Sequence, residues 1–324
     1  MQSIPVDRAS LGANAARFPA PPVATWSTMS NAFDRPDAVP PWIDIEDRLS
    51  PREFERLADF IERYSGIKVP EGKTTMLEGR LRKRVRALGL DSLSDYCDYL
   101  FLHNGLVTEE VELIDAVTTN KTEFFREAAH FRVLAEVVVP QVVAERRNAG
   151  LRASLKVWSA AASTGAEPYS IAMVLAEQAR TRFPDLASFV YATDICTGVL
   201  ETARMGIYAA ELLAPVPLDL RARYTMRAKD RGSDLMRIVP ELRARVQFGR
   251  VNLIEPNYPV ERELDVVFCR NVLIYFDKPT QLGVLRRLCE HLRPGGHLFL
   301  GHSETLSGAE LPVQPIGASV FRRI

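Results

Sequence analysis

Past Gly150 the sequence changes rhythm. Short apolar runs, SLKVWSA, SFVYATDI, VQFGRVNL, LDVVFCRN and GHLFLGHSE, alternate with helical patterns that begin at Pro168, Thr197 and Pro279. Strands alternating with helices predict a mainly parallel sheet with right-handed crossovers. In an open sheet of that kind the ligand crevice lies at the carboxyl ends of the strands, so chemistry is expected in the loops that follow each apolar run. The connection 205–245 is too long for a plain loop. It predicts a helix and a small β excursion, with RYTMRA and LMRIV as paired strands.

Before Gly150 the pattern is helical. Ser50, Pro51 and Glu53 form a helix-start signature, and Phe54, Leu57, Phe60, Ile61 and Tyr64 follow at helical spacing up to Gly66. Leu77, Leu81, Val85 and Leu88 make the apolar stripe of a second helix whose remaining surface carries Arg80, Arg82, Lys83, Arg84 and Arg86. The helical pattern continues through LSDYCDYLFL and EEVELIDAVT, which predicts a small all-helical domain over 47–135. A further helix through FRVLAEVVVPQVVAERRNAG is expected to be interrupted near Pro140. Residues 1–46 hold seven prolines without a sustained apolar period and read as a disordered arm, leaving 136–324 as the catalytic unit.

A chain of 324 residues has room for two domains. Its 41 basic and 41 acidic residues cancel, which argues against nucleic acid as a partner. No apolar run approaches the ~18 residues of a membrane span, and the first residues lack the core of a secretory signal. Both observations predict a cytoplasmic protein with no membrane insertion. Cys97, Cys196, Cys269 and Cys289 are scattered, so neither a zinc site nor a disulfide framework is expected.

The loops carry the functional signal. The first, SAAASTGAEP, places small residues where a backbone must approach a ligand, then Glu167 and Pro168 at a helix start. It is not G-x-G-x-x-G, which disfavours a pyrophosphate. Asp194 stands at the tip of the second strand, where an acid commonly accepts hydrogen bonds from a ribose. Asn252 and Leu253 follow the third strand as an amide for an adenine edge and an apolar wall; Arg270, Asn271 and Tyr275 follow the fourth. Taken singly, Asp194 and Asn252 also read as turn residues and Glu167 as a partner for the helix dipole. Taken together they predict a ligand with adenine and ribose, an amino-acid tail and no phosphates, which is S-adenosylmethionine. In LRPGGHLFLGHSE the Gly pair is expected to end one helix and open a buried strand.

Five ordered stretches, TTNKTEFFRE (118–127), WSAAASTGAEPYSIAM (158–173), ATDI (192–195), CRNVLIYFD (269–277) and PGGHLFLGHSE (294–304), resemble the chemoreceptor glutamate O-methyltransferases of bacterial chemotaxis, the CheR family. The resemblance implies a Rossmann-like α/β methyltransferase domain behind the helical one, S-adenosylmethionine as cofactor and no metal. It implies that Arg126, Tyr275 and Arg270 stand at the reacting centre. Asn120, Thr122, Arg126, Ala162, Glu167, Asp194, Asn252, Leu253 and Asn271 would then hold the cofactor. The substrate would be glutamates on chemoreceptor cytoplasmic helices, met by a monomeric enzyme. Because those helices are acidic, Arg80, Lys83 and Arg84 become expected docking cations. Two departures stand out: Ala166 occupies a position where members commonly have an acid, and the 205–245 excursion keeps only Gly232 where some members carry a Gly-rich hairpin that docks the receptor's C-terminal pentapeptide. A sensor of the cofactor, or a methyltransferase with another protein substrate, is the alternative function. His130 and His302 lie beside these motifs without an assigned role.

Overall fold

The computed structural model describes residues 47–228, 230, 232–304, 306 and 310–324; the expected N-terminal arm lies outside them. The chain opens with α1 (Pro51–Ser65), held at its start by the reciprocal Ser50 and Glu53 cap and closed by Gly66 in the left-handed conformation. α2 (Thr74–Leu88), α3 (Leu93–Leu102) and α4 (Leu106–Val117) complete a bundle around Leu57, Ile61, Leu81, Tyr96 and Leu113, all fully enclosed. That core ends at Val117.

α5 (Ala128–Val133) and α6 (Val139–Asn148) form one continuous rod, with a π-helical stretch at Leu134–Val138 just before Pro140. The irregularity falls where the missing proline N–H and its ring would break regular i to i−4 bonding. Phe131, Leu134 and Val138 pack into the core of the sheet domain. The structure therefore shifts the domain boundary from 135 to about residue 118, because the apolar face of α5 has no counterpart in the helical bundle.

The sheet domain follows as β1 (Ser154–Ala160), α7 (Ala166–Thr181), β2 (Ala187–Asp194), α8 (Thr197–Met205), β3 (Ile207–Ala209), α9 (Leu218–Tyr224), β4 (Thr225–Arg227), β5 (Leu235–Ile238), α10 (Pro240–Arg243), β6 (Val246–Arg250), β7 (Leu264–Cys269), α11 (Lys278–His291), β8 (Leu292–Leu300), β9 (Val313–Gly317) and β10 (Val320–Arg323). The main sheet runs in the order β6-β2-β1-β7-β8-β10-β9; the first five strands are parallel and the last two antiparallel. From β1 the chain winds outward to β2 and β6, then crosses to β7 on the other side. That reversal at β1 and β7 opens the crevice. β7 is enclosed along its whole length, as expected of a central parallel strand.

The excursion forms a small three-stranded sheet, β3-β5-β4, in which the expected hairpin partners are joined by β3. The Gly pair behaves differently from expectation. α11 ends at His291, and Gly295 and Gly296 lie inside β8, beside a register shift against β7. A Cβ on Gly296 would come within 3.0 Å of the Leu264 carbonyl, so these glycines admit a close strand approach, not a helix end.

Candidate active site

A cleft of about 1190 Å³, counting its open mouth, lies at the carboxyl ends of β1, β2 and β7, roofed by the start of α2 and the linker 118–126. Ten residues expected at the site line it: Asn120, Thr122, Arg126, Glu167, Asp194, Asn252, Leu253, Arg270, Asn271 and Tyr275. Ala162 does not. Its side chain is buried in the core beneath, while Ala161 and Ser163 face the cleft.

The turn between β1 and α7 shows why small residues stand there. Ala161, Ser163 and Gly165 all have positive φ, at 63°, 49° and 93°. Such backbone is strained for a residue with a Cβ and persists where the surroundings fix it. Asp194 does the fixing: one oxygen accepts from the Ser163 N–H at 2.8 Å and the other from the Cys196 N–H at 2.9 Å. Burial nevertheless raises its pKa, and the Asp115 carboxylate adds to the rise. A Cβ on Gly165 would lie 2.9 Å from both the Ala203 Cβ and the Tyr208 hydroxyl.

The opposite side is built from side-chain ions. Arg270, 7% exposed, donates from one nitrogen to Glu167 Oε2 at 3.0 Å; the other donates to the Arg126 carbonyl and forms an ion pair with Glu127 Oε2 at 3.0 Å. Glu167 also accepts from Ser159 Oγ at 2.7 Å. Burial raises the Glu167 pKa while Arg270 and Ser159 oppose the rise. Arg270 is therefore already gripped on both sides. Its two terminal nitrogens are thus both engaged within the protein, one of them by Glu167 beside the cleft. Arg126 differs: it makes only a 3.3 Å bond to the Lys121 carbonyl and has no ion-pair partner among the described residues.

Three further expected residues make bonds within the protein. The Asn252 amide donates to the Tyr64 carbonyl at 2.5 Å and accepts from Ile254 N, so, while lining the cleft, it also fastens α1 to the loop after β6. Arg84 grips buried Glu109 through two bonds of 2.6 and 3.0 Å, and Arg80 donates to the Val117 and Thr118 carbonyls and to Thr119 Oγ1. Both cations hold the bundle together, and of the three expected docking cations only Lys83 is exposed without an ion-pair partner among the described residues.

Sequence reasoning missed Glu304. It is 5% exposed and accepts from four backbone N–H groups, those of Asn271, Val272, Leu273 and Gly301, at 2.7–2.9 Å. This one carboxylate shapes the loop that presents Asn271 and Tyr275. Its signal was GHSE, where a Gly precedes an acid by three residues: a Cβ at Gly301 would meet the Glu304 oxygen at 2.8 Å. Asp115 was also missed. It caps α8 from α4 by accepting from Thr197 N, Thr197 Oγ1 and Gly198 N, a pairing across more than 80 residues that leaves no local trace.

The residues present suit S-adenosylmethionine: an acid fixed at the end of β2, a strained small-residue turn, and apolar walls from Leu253, Val251 and Phe276. Comparison with known proteins agrees. Residues 52–118 match the family described as CheR methyltransferase, all-alpha domain, and residues 120–321 match CheR methyltransferase, SAM binding domain. The chain is 40% identical over 269 residues to chemotaxis protein methyltransferase 2 of Pseudomonas aeruginosa, covering 83% of this chain and 92% of that one. It is 44% identical over 276 residues to the chemotaxis protein methyltransferase of Salmonella typhimurium, covering 84% and 90%. With the boundary, the cleft and these matches in agreement, the chain belongs to the CheR family of S-adenosylmethionine-dependent methyltransferases.

Proposed function

We propose that this chain methylates glutamate side chains on chemoreceptor cytoplasmic helices, giving glutamyl methyl esters and S-adenosylhomocysteine. The observation that carries the reading is the contrast between two arginines of one cleft. Arg270 is held by Glu127 and Glu167, whereas Arg126 faces the cleft with no carboxylate of its own among the described residues. A free guanidinium beside a cofactor pocket is a receptor for a carboxylate, which it can grip through two hydrogen bonds.

Bound S-adenosylmethionine supplies a methyl group on a sulfonium. The protein's part is placement. Asp194 and the turn 161–165 hold the nucleoside, Leu253 and Phe276 wall it, and Arg126 orients the entering carboxylate. A glutamate with pKa near 4.3 is already ionised at neutral pH, so no general base is required. Positioning of this kind contributes up to about 7–11 kcal/mol in favourable cases. Arg126 must not hold the ground state too tightly, since only interactions that strengthen in the transition state raise the rate. The Tyr275 ring lies on the same wall and suits a sulfonium.

Docking falls to cations that the bundle leaves unpaired. Lys73 at the cleft mouth and Lys83 on α2 have no ion-pair partner among the described residues and meet an acidic helix by charge complementarity. The test is transfer of a tritiated methyl group from S-adenosylmethionine to a purified receptor cytoplasmic domain, read as methanol released by alkali. Release that disappears when receptor glutamates become alanine supports the reading. Label in an alkali-stable linkage, or tight product binding with no turnover, would overturn it.

A further inference from the structure

Behind the Arg270 network lies a second group of polar side chains that methyl transfer does not use. Glu127, His130 and His302 bring one ligand atom each to within 4.8 Å of one another. Residue 127 has left-handed backbone, φ 59° and ψ 61°, and so does Phe125 with φ 53°; this strained stretch turns Arg126 toward the cleft while Glu127 meets His130 and Arg270.

The tautomer of His130 follows from its neighbours. Its Nε2 lies 3.3 Å from the Ala318 carbonyl, which can only accept, so Nε2 carries the proton and Nδ1 presents a lone pair. That Nδ1 faces Glu127 Oε2 at 3.3 Å, and neither atom has a hydrogen-bond partner of acceptable geometry, although His130 is only 1% exposed. Arg270 pairs with the same oxygen at 3.0 Å, yet the imidazole lone pair still faces a carboxylate oxygen with no proton between them, an opposition that a shared cation would relieve. His302 Nε2 stands 3.8 Å from the same oxygen, on a side chain that is 55% exposed and whose ring meets His130 edge-on. Ligand atoms around a tetrahedral Zn²⁺ with bonds of about 2.05 Å are about 3.3 Å apart. A ligating histidine that donates its other N–H to a backbone carbonyl is also the usual supporting arrangement.

We propose that Glu127, His130 and His302 form a Zn²⁺-class transition-metal site, with a fourth position left to water. The site is inhibitory. Its carboxylate oxygen is the one that Arg270 holds at 3.0 Å, so a bound ion competes with Arg270 for Glu127 and loosens the grip of Arg270 on Glu167 beside the cleft. Binding brings two positive charges beside a guanidinium, which favours modest affinity and thus reversible occupation.

The experiment uses the full chain without a histidine tag, since its five histidines then account for all imidazole and its four cysteines are all buried. Co²⁺ is titrated and its tetrahedral absorption recorded, and Zn²⁺ is counted by equilibrium dialysis. The expected result is one equivalent per chain, about tenfold or more weaker in His302→Ala. His302→Cys, which restores a ligand, is expected to recover binding and to add a thiolate-to-Co²⁺ charge-transfer band. Zn²⁺ should lower methyl transfer by the parent and not by His302→Ala, with recovery on adding a chelator. Unchanged stoichiometry and spectrum in His302→Ala, or no saturable binding by the parent, would overturn the site. Binding without any effect on turnover would overturn the inhibition.

Discussion

Helix α7 carries a carboxylate near each end, and the two sit in opposite states. Glu167, in the first turn beside the cleft, has its pKa raised by burial even though Arg270 and Ser159 bond to it. Glu177, in the last turns, is brought down to about 2 by Arg180, Tyr224 and Arg223 on the outer surface. Both acids have cationic and hydroxyl partners, two arginines at Glu177 and one at Glu167, where Glu127 adds a like charge; dehydration at Glu167 widens that difference. At the cleft it outweighs one guanidinium, while at the surface water still solvates the anion and every partner adds. An acid that is costly to ionise is the mark of a site kept for chemistry, and one that is easy to ionise fastens an insertion to its domain.

Breaking the comparison at its centre gives the largest effect. Arg270→Met leaves Glu127 and Glu167 without a cation in a closed space, and a loss of about 3–5 kcal/mol in unfolding free energy is expected from urea titration. Adding Glu167→Gln to that variant should return part of the loss; no recovery would mean that the two groups are not coupled.

Glu167→Gln alone separates stability from activity. A carboxyl whose folded pKa is raised binds protons more tightly in the folded chain, so its contribution to stability falls as pH rises from its ordinary value near 4.5 toward the raised one. At pH 7 the amide variant should therefore be no less stable than the parent, while methyl transfer drops by about 100-fold through a displaced cofactor pocket. A stability loss at pH 7 that vanishes in acid would reverse the assigned sign.

Glu177→Gln is the mirror image. A lowered pKa contributes stability above the ordinary value of 4.5, and that contribution disappears as pH falls toward about 2. The parent should weaken through this window and the variant should not, with a neutral-pH difference of about 1 kcal/mol once solvent screening is allowed for. Thermal unfolding between pH 2 and pH 7 measures both. Smallest is Lys83→Glu, an exposed charge without a partner: stability should stay within about 0.5 kcal/mol, and receptor methylation should fall most at low salt. Equal methylation by variant and parent at every salt concentration would remove Lys83 from docking.

The alternation past Gly150 was enough to read the parallel sheet, the crevice and most of its lining, because strand period and strand-end loops are local properties of sequence. Boundaries and partners were less accessible. The apolar face of α5 looks the same whether it packs on a bundle or on a sheet, so the helical domain was drawn too long. Arg80 and Arg84 look like surface cations until α4 brings Glu109 and the Val117 carbonyl to them. Asp115 and Glu304, and the structural bond of Asn252 to Tyr64, were missed because each acts through residues distant in sequence or through backbone groups, which no side-chain pattern records.

Asp115 caps a helix to which it does not belong, and Tyr64 is held through its carbonyl by Asn252 and through its hydroxyl by Arg250. The bundle is thus fastened to the sheet domain beside the ends of the neighbouring strands β2 and β6. Each of these bonds joins an element of the helical domain to a strand-end loop of the sheet domain, so the roof of the cleft and its floor share their fastenings.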